Sequence, residues 1–433
     1  MEMNIDRISS LPEGVLHHIL SFLDMKKVMQ TSLLSSRWRL LWISLPHLNF
    51  SDQMWKHNKA GLVNFVDRVL LFRNNSDLHK FSLNSRNHYY EADYIGRWII
   101  SVVRKNVKEI HMQIYSDKSY ELPSCLFASA VKVFTLKSYN YPIQLPTSIC
   151  SSSNLKTLEL MFSRFPKGNS KGELVLSFPV LENLILQFCD QKHLNLLTIY
   201  AIKLKNLVVK NGGRSAKLQL HSPNLTSFDY WGGNCGIYSM TNLSSLVTVN
   251  IWVHFRDEEV AQSESVRMLQ MFNHTRSLVL KNSFPMCFFW QEQLASTFDN
   301  LRHLKLIRLC CCNYNLLESC PHIETLIWEL PQPVVNCRTK GRGNECGAQI
   351  SSECKFLHLK SVKIQNLEGC EHELKFIKYI LRNGAVLENI TITTKKALSS
   401  EREKELEEFS MKLQCLFKAS STVTILFLLK STA

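Results

Sequence analysis

The segments Leu155-Lys-Thr-Leu158-Glu-Leu160, Leu181-Glu-Asn-Leu184-Ile-Leu186 and Leu204-Lys-Asn-Leu207-Val-Val209 share one pattern: an apolar residue, two spacers, then an apolar-x-apolar pair. The closing alternation is that of a short strand with one buried face. The pattern recurs at Val107-x-x-Ile110-x-Met112, Val131-x-x-Phe134-x-Leu136, Leu225-x-x-Phe228-x-Tyr230, Leu246-x-x-Val249-x-Ile251, Leu301-x-x-Leu304-x-Leu306, Ile323-x-x-Leu326-x-Trp328, Leu359-x-x-Val362-x-Ile364 and Leu387-x-x-Ile390-x-Ile392. Thr275-x-x-Leu278-x-Leu280 is a weaker copy. The second apolar position advances by 21 to 29 residues per copy, apart from one step of 36 between Leu326 and Val362.

A period of roughly 20 to 29 residues with this motif predicts a leucine-rich-repeat solenoid. Each unit is too small to bury its own face, so successive strands stack in parallel and each covers its neighbour. The Asn or Cys expected shortly after each strand is mostly missing, with Cys189 a partial match, so the repeats are degenerate. The long step coincides with the polar, glycine-rich stretch Asn336 to Gly347, read as an exposed loop and a boundary. Beyond it the sequence predicts a strand at 359–364, a helix at 373–383 ended by Gly384, a strand at 390–393, a charged helix at 400–417 and a last strand at 422–428.

The first 46 residues carry a helical rather than a strand period. Ser10-Leu-Pro-Glu13 has capping-box spacing, and Val15, Leu16, Ile19, Leu20 and Leu23 follow on one face. Asp24 is placed to cap a second helix, and Ser35 or Ser36 a third, in which Trp38, Leu41, Trp42 and Leu45 fall at helical spacing. Three helices this short hold more large apolar residues than their own core needs, which predicts a partner over some of them. The fold class expected is α+β / α/β: a short all-helical module at 1–50, a degenerate repeat solenoid with a parallel sheet at 51–345, and a segment at 346–433 that continues it.

Composition narrows the function. With 433 residues, 45% apolar, the chain can bury a large core; its acidic, non-apolar start and the lack of a long apolar run predict a protein of the cytoplasm and/or nucleus, with no membrane partner. The fourteen cysteines lack paired spacings, so they read as reduced thiols without disulfides or metal, and no cofactor is expected. The formal charge of +14 is spread along the chain, with no clustered basic motif of a nucleic-acid reader; Lys395-Lys396 is the nearest thing to one. Nucleophile elbows, Walker loops and His-Glu-x-x-His are missing, and Gly212-Gly213 and Gly232-Gly233 read as turns after repeat strands, so an enzyme is not expected.

Residues 6 to 50, from Asp6-Arg-Ile-Ser-Ser-Leu-Pro-Glu through Ser35-Ser-Arg-Trp38-Arg-Leu-Leu-Trp42 to Leu45-Pro-His-Leu-Asn-Phe50, closely resemble the F-box of plant F-box/FBD/leucine-rich-repeat proteins. Asp24-Met25 and Ser36 depart from the family's usual residues. The C-terminal part resembles the FBD segment through Leu359-Lys-Ser-Val-Lys-Ile, Glu373-Leu-Lys-Phe-Ile-Lys-Tyr-Ile and Val386-Leu-Glu-Asn. The resemblance implies the substrate-recognition subunit of a Skp-cullin-F-box ubiquitin ligase. Its partners would be a Skp-type adaptor, a cullin through that adaptor, and an unknown protein to be ubiquitylated. The adaptor-facing candidates carried over are Leu11, Pro12, Leu16, Ile19, Leu20, Leu23, Val28 and Trp38, some of which must form the module's own core. The alternative is a repeat-based interaction scaffold with no ligase role.

The repeat register also marks a substrate surface. If the second apolar residue of each motif points inward, residues one and three places later point to the opposite, concave face. The third place reads Met161, Gln187, Lys210, Trp231, Trp252, Lys281, Ile307 and Glu329. Trp231 and Trp252 share that offset in adjacent repeats, which predicts indoles about 5 Å apart on an exposed column, unless a loop folds over them as extra core.

Overall fold

A computed structural model describes residues 8–55, 58–211, 216–233, 236–241, 243–254, 267–282, 297–308, 314–330, 356–395 and 400–429. The chain forms two compact units, Met1–Pro223 and Asn224–Ala433. The long-step loop, its boundary at 345/346, Gly212-Gly213 and eight of the fourteen cysteines, among them the run Cys310-Cys311-Cys312, lie outside the described residues.

In the first unit the F-box-like module comes first, as α1 (Glu13–Ser21), α2 (Met25–Thr31) and a 3₁₀ segment at Trp38–Ser44. Asp24 caps α2, its carboxylate accepting from the Lys26 N–H at 2.8 Å. The expected box at Ser10 does not form: Pro12 occupies the N-cap, α1 begins at Glu13, and the cap has no side-chain hydrogen bond. Neither Ser35 nor Ser36 caps the third element. It starts after Arg37 and stays 3₁₀, which suits a short run that Pro46 ends and whose Trp38, Leu41 and Leu45 are fixed by burial.

Seven parallel strands follow in this unit: His47–Ser51, Lys80–Tyr90, Glu109–Ser116, Val133–Tyr139, Thr157–Met161, Asn183–Gln187 and Asn206–Lys210. Their register places Leu48, Phe81, Ile110, Phe134, Leu158, Leu184 and Leu207 in one continuous buried ladder. The motif's second apolar residue is therefore the inward one. Cys189 fills the post-strand position, its thiol donating to the Leu160 carbonyl at 3.6 Å.

Several elements of this unit are silent in the repeat pattern. Helices α3 (Lys59–Phe72) and α4 (Ala92–Arg104) pack on one another, with Asp67 accepting from Trp98 Nε1 at 2.8 Å and pairing with Arg97 at 2.7 Å. A second parallel sheet, Glu173–Ser177, Leu196–Tyr200 and Lys217–His221, forms from segments between the motif strands.

The second unit repeats the design with Ser227–Gly233, Thr248–His254, Ser277–Asn282, His303–Ile307, Thr325–Glu329, Ser361–Leu367, Asn389–Thr394 and Thr424–Leu428, all parallel. The weak copy at Thr275 forms a full strand. The C-terminal strands continue the sheet directly, Leu326 pairing with Val362 and Val362 with Ile390. The helix Glu371–Asn383 is held by buried Glu373, whose carboxylate accepts from the Glu368, Gly369 and Cys370 N–H groups at 3.2, 2.6 and 2.9 Å. Gly232-Gly233 is a correction: both glycines lie inside a strand, paired with Val253 and His254. A Cβ on Gly232 would stand 2.7 Å from the Tyr230 hydroxyl, which itself accepts from the Gly236 N–H, so Gly232 makes room for that side chain.

Candidate functional site

The helical module divides its apolar residues cleanly. Leu16, Leu20, Val28 and Trp38 are buried, together with Met25, Leu41 and Leu45, and make its core. Of the other adaptor-facing candidates, Leu11 and Leu23 are half-buried, while Pro12 and Ile19 are exposed. The outward set also includes residues that are not among the adaptor-facing candidates: Val15, Phe22, Leu33, Leu34 and Leu40, with Leu33 88% and Phe22 74% exposed. Helical spacing alone marks an amphipathic face but not which half of a wide apolar stripe meets the module's own core.

Trp38 and its neighbour act on the module's entry. Trp38 Nε1 donates to Ser9 Oγ at 2.7 Å, and the Arg37 guanidinium donates to the carbonyls of Ser9 and Leu11. The buried indole thus fixes the segment carrying Leu11 and Pro12. His17 reaches Glu13 at 3.5 Å and Ser44 at 3.2 Å, tying α1 to the 3₁₀ segment, while exposed His18 lies edge-on to Phe22 at 5.0 Å.

On the sheets, the third-place residues fall into two columns, one in each unit. In the first, Met161, Gln187 and Lys210 are adjacent by register and half-buried. In the second, Trp231, Trp252, Lys281, Ile307 and Glu329 occupy five successive strands, each half-buried on the face opposite the core. The indoles of Trp231 and Trp252 are 5.0 Å apart, and Lys281 Nζ lies 3.9 Å from the centre of the Trp252 ring. The tryptophans are not inside the core, and the lysine extends the column as a cation–π neighbour.

The first unit has aromatic pairs that the sequence reading missed. Tyr115 stacks on Tyr139 at 5.0 Å and meets Tyr89 edge-on at 6.0 Å. Phe162 stacks on Phe188 at 5.5 Å, each with φ of 52°, and their N–H groups donate to the Gln187 and Lys210 carbonyls. Positive φ is uncommon for so bulky a residue, so both rings are set by the bend that ends their strands. The signal was available: each pair repeats at a fixed offset from the inward marker in adjacent motifs.

Among the described residues no cluster of histidine, cysteine or acidic side chains could hold a metal ion, and no helix is long and apolar enough to cross a membrane. The six cysteines there are free thiols, and burial pushes the Cys189 thiol up to about 12. The arrangement offers recognition surfaces: an exposed apolar helical module and a column of aromatic and charged side chains.

Comparison with known proteins agrees with this division. A family profile described as F-box domain matches residues 8–49, and one described as At1g61320/AtMIF1, LRR domain, matches residues 69–427. An F-box/FBD/LRR-repeat protein of Arabidopsis thaliana is 26% identical over 98% of this chain and 99% of its own length. An F-box/LRR-repeat protein of the same plant is 27% identical over 97% of this chain and 94% of its own, and an FBD-associated F-box protein is 27% identical over 98% and 100%. Names and profiles alike point to an adaptor or protein-interaction role. The chain belongs to the F-box/FBD/leucine-rich-repeat proteins, an F-box leading a leucine-rich-repeat domain that runs almost to its end.

Proposed function

We propose that the chain is the substrate-recognition subunit of a Skp-cullin-F-box ubiquitin ligase, acting in the cytoplasm and/or nucleus. The F-box docks a Skp-type adaptor and through it a cullin, while the repeats hold the protein to be ubiquitylated. On this reading the F-box occupies 1–50, the repeats 51–345 and the FBD-type segment 346–433. The chain performs no catalytic step and holds no cofactor.

The observation that supports this best is the uncovered apolar surface of the F-box, with Val15, Ile19, Phe22, Leu33, Leu34 and Leu40 all exposed beside a core that is already filled. Side chains of this kind, left bare together, mark an interaction site. Docking sites for the other partner are the Trp231–Trp252–Lys281 column and the Met161–Gln187–Lys210 column. Aromatic anchors beside lysines suit a partner with apolar and acidic side chains.

Titrating the full chain with a purified Skp-type adaptor by calorimetry tests the reading. Stoichiometric binding that is lost in the Phe22→Ser, Leu33→Ser double variant is expected. A wild-type chain that is folded yet binds no such adaptor would leave a repeat-based scaffold without a ligase role.

A further inference from the structure

We propose that the open edge of the last strand, Thr424–Leu428, is the interface of a symmetric homodimer, in which the strands of two copies pair antiparallel about Phe427. This goes beyond the adaptor reading and does not depend on it.

The edge is defined by its hydrogen bonds. On one side the strand pairs with Asn389–Thr394, Ile390 opposite Ile425 and Ile392 opposite Phe427, and the Thr424 N–H donates to the Glu388 carbonyl at 2.9 Å. Backbone groups of a parallel strand alternate in direction, so residues 424, 426 and 428 face this neighbour. Ile425, Phe427 and Leu429 then turn their N–H and C=O groups to the other side. Among the described residues no strand lies there; the sheet order ends at this strand.

The side chains are also uncovered. Ile390 and Ile392 are buried by the next strand, whereas Ile425 and Phe427, at the same inward positions, are half-exposed. Leu426 is 50% and Leu428 43% exposed, on the other face. Beside them the helix Ser400–Gln414 leaves Met411 bare, and an open cleft of ≈ 390 Å³ is lined by Met411, Phe427, Leu428 and Leu429 with Glu407 and Ser410. Edges are ordinarily protected by lysine, proline or a bulge, and this strand has none of them.

A second copy is the occupant that these residues fit. With a two-fold axis at Phe427, Phe427 meets Phe427 of the second copy and Ile425 meets Leu429, using the outward backbone groups in up to about six hydrogen bonds. On the other face Leu426 meets Leu428 of the second copy. The pairs nearest the axis, Phe427 with Phe427, Ile425 with Leu429 and Leu426 with Leu428, are all apolar, so the core would continue across the axis, while exposed Thr424 falls opposite Lys430 at the rim. Head-to-tail stacking onto the chain's first strand is blocked, because α1 and α2 of the F-box pack against His47–Ser51. Self-association through the last strand therefore closes as a dimer and does not propagate.

The test uses the full chain and sedimentation equilibrium across the micromolar range. The expected mass is twice the 50.1 kDa of one copy. Leu426→Lys with Leu428→Lys sets like charges opposite one another across the axis and should weaken the dimer at least about a hundredfold. Leu426→Glu with Leu428→Glu should do the same, and mixing the Lys and Glu variants should restore a dimer that neither forms alone. Both positions are exposed in the monomer, so circular dichroism and melting should match wild type, and adaptor binding should be retained. A wild-type chain that stays monomeric, a Lys variant that still dimerises, or folded variants that fail to pair on mixing would each overturn the proposal.

Discussion

Trp231 and Trp252 sit side by side on adjacent parallel strands, in direct register, with their rings 5.0 Å apart and tilted by 37°. The pair is held on one flank by Lys281, whose ammonium lies 3.9 Å from the Trp252 ring centre. Both indoles remain half-buried on the side of the sheet away from the core, so each can be removed without opening a cavity in it. The Trp231→Ala, Trp252→Ala double variant should keep the wild-type melting temperature. Its affinity for a captured substrate should fall about thirtyfold or more, the scale of an interface hot spot of ~2 kcal/mol. Full substrate capture by the folded double variant would remove this column from the recognition surface.

Two kinds of F-box substitution should behave differently. Ile19→Ser or Leu33→Ser changes an exposed side chain and should weaken adaptor binding by about tenfold, since burying such a group contributes roughly 1.5 to 3 kcal/mol, while the melting curve stays put. Trp38→Ala also empties a core position and releases Ser9 Oγ, so it should lower both adaptor affinity and F-box stability, the latter by ~3 to 5 kcal/mol. Parallel calorimetry and thermal melts separate the two; equal stability loss in all three variants would contradict the assignment of core and surface.

The repeat architecture was legible because its signal is periodic: Leu158, Leu184 and Leu207 stand at one offset in the sequence and in one ladder in the structure. The FBD strands were legible for the same reason, and Asp24 because capping is local chemistry. Helices α3 and α4 carry no copy of the strand motif and so fall outside the repeat pattern, although α4 is strongly amphipathic, with Ile95, Trp98, Ile99 and Val102 buried at helical spacing. The division of the F-box surface was not readable at all. Leu16 and Ile19 lie on the same helical stripe, and only tertiary packing decides that the first is covered and the second bare. Gly232 misled because a glycine pair is a turn signal by default, whereas here the missing Cβ admits the Tyr230 hydroxyl.

Glu373 gives a stability test inside the FBD-type segment. Its carboxylate is buried, and burial pushes its carboxyl up even though three backbone N–H groups point at it. Glu373→Ala would strand those donors, at ~1 to 3 kcal/mol each, and should destabilise the second unit by about 3 kcal/mol or more. Glu373→Gln keeps one acceptor oxygen and should cost clearly less. Chemical denaturation with both variants checks the order, and equal effects would mean that the N–H groups find other partners.

Acid should loosen the first unit through two histidines near Lys80. His47 is held below its ordinary range by burial, then by His79, 6.2 Å away between ring centres, and by Lys80. His111 is lowered by burial and then by Lys80, against the pull of Glu109 at 3.5 Å, a carboxylate that also pairs with Lys80 at 3.6 Å. A histidine whose folded pKa lies below its unfolded value binds fewer protons in the native state through the interval between them, so stability rises with pH across that interval. The contribution is fully present above the unfolded value of 6.5 and is lost as pH falls from there toward the folded values. Melting temperature should therefore drop by a few degrees between about pH 7.5 and pH 5.5. The net charge of +14 also rises as all fifteen histidines protonate, so the informative quantity is the difference between proteins rather than the drop itself. His47→Gln with His111→Gln removes two titrations and leaves the other thirteen histidines in place, so its drop should be smaller than that of wild type. Identical drops in the two proteins would assign the acid sensitivity to overall charge instead of to these two rings.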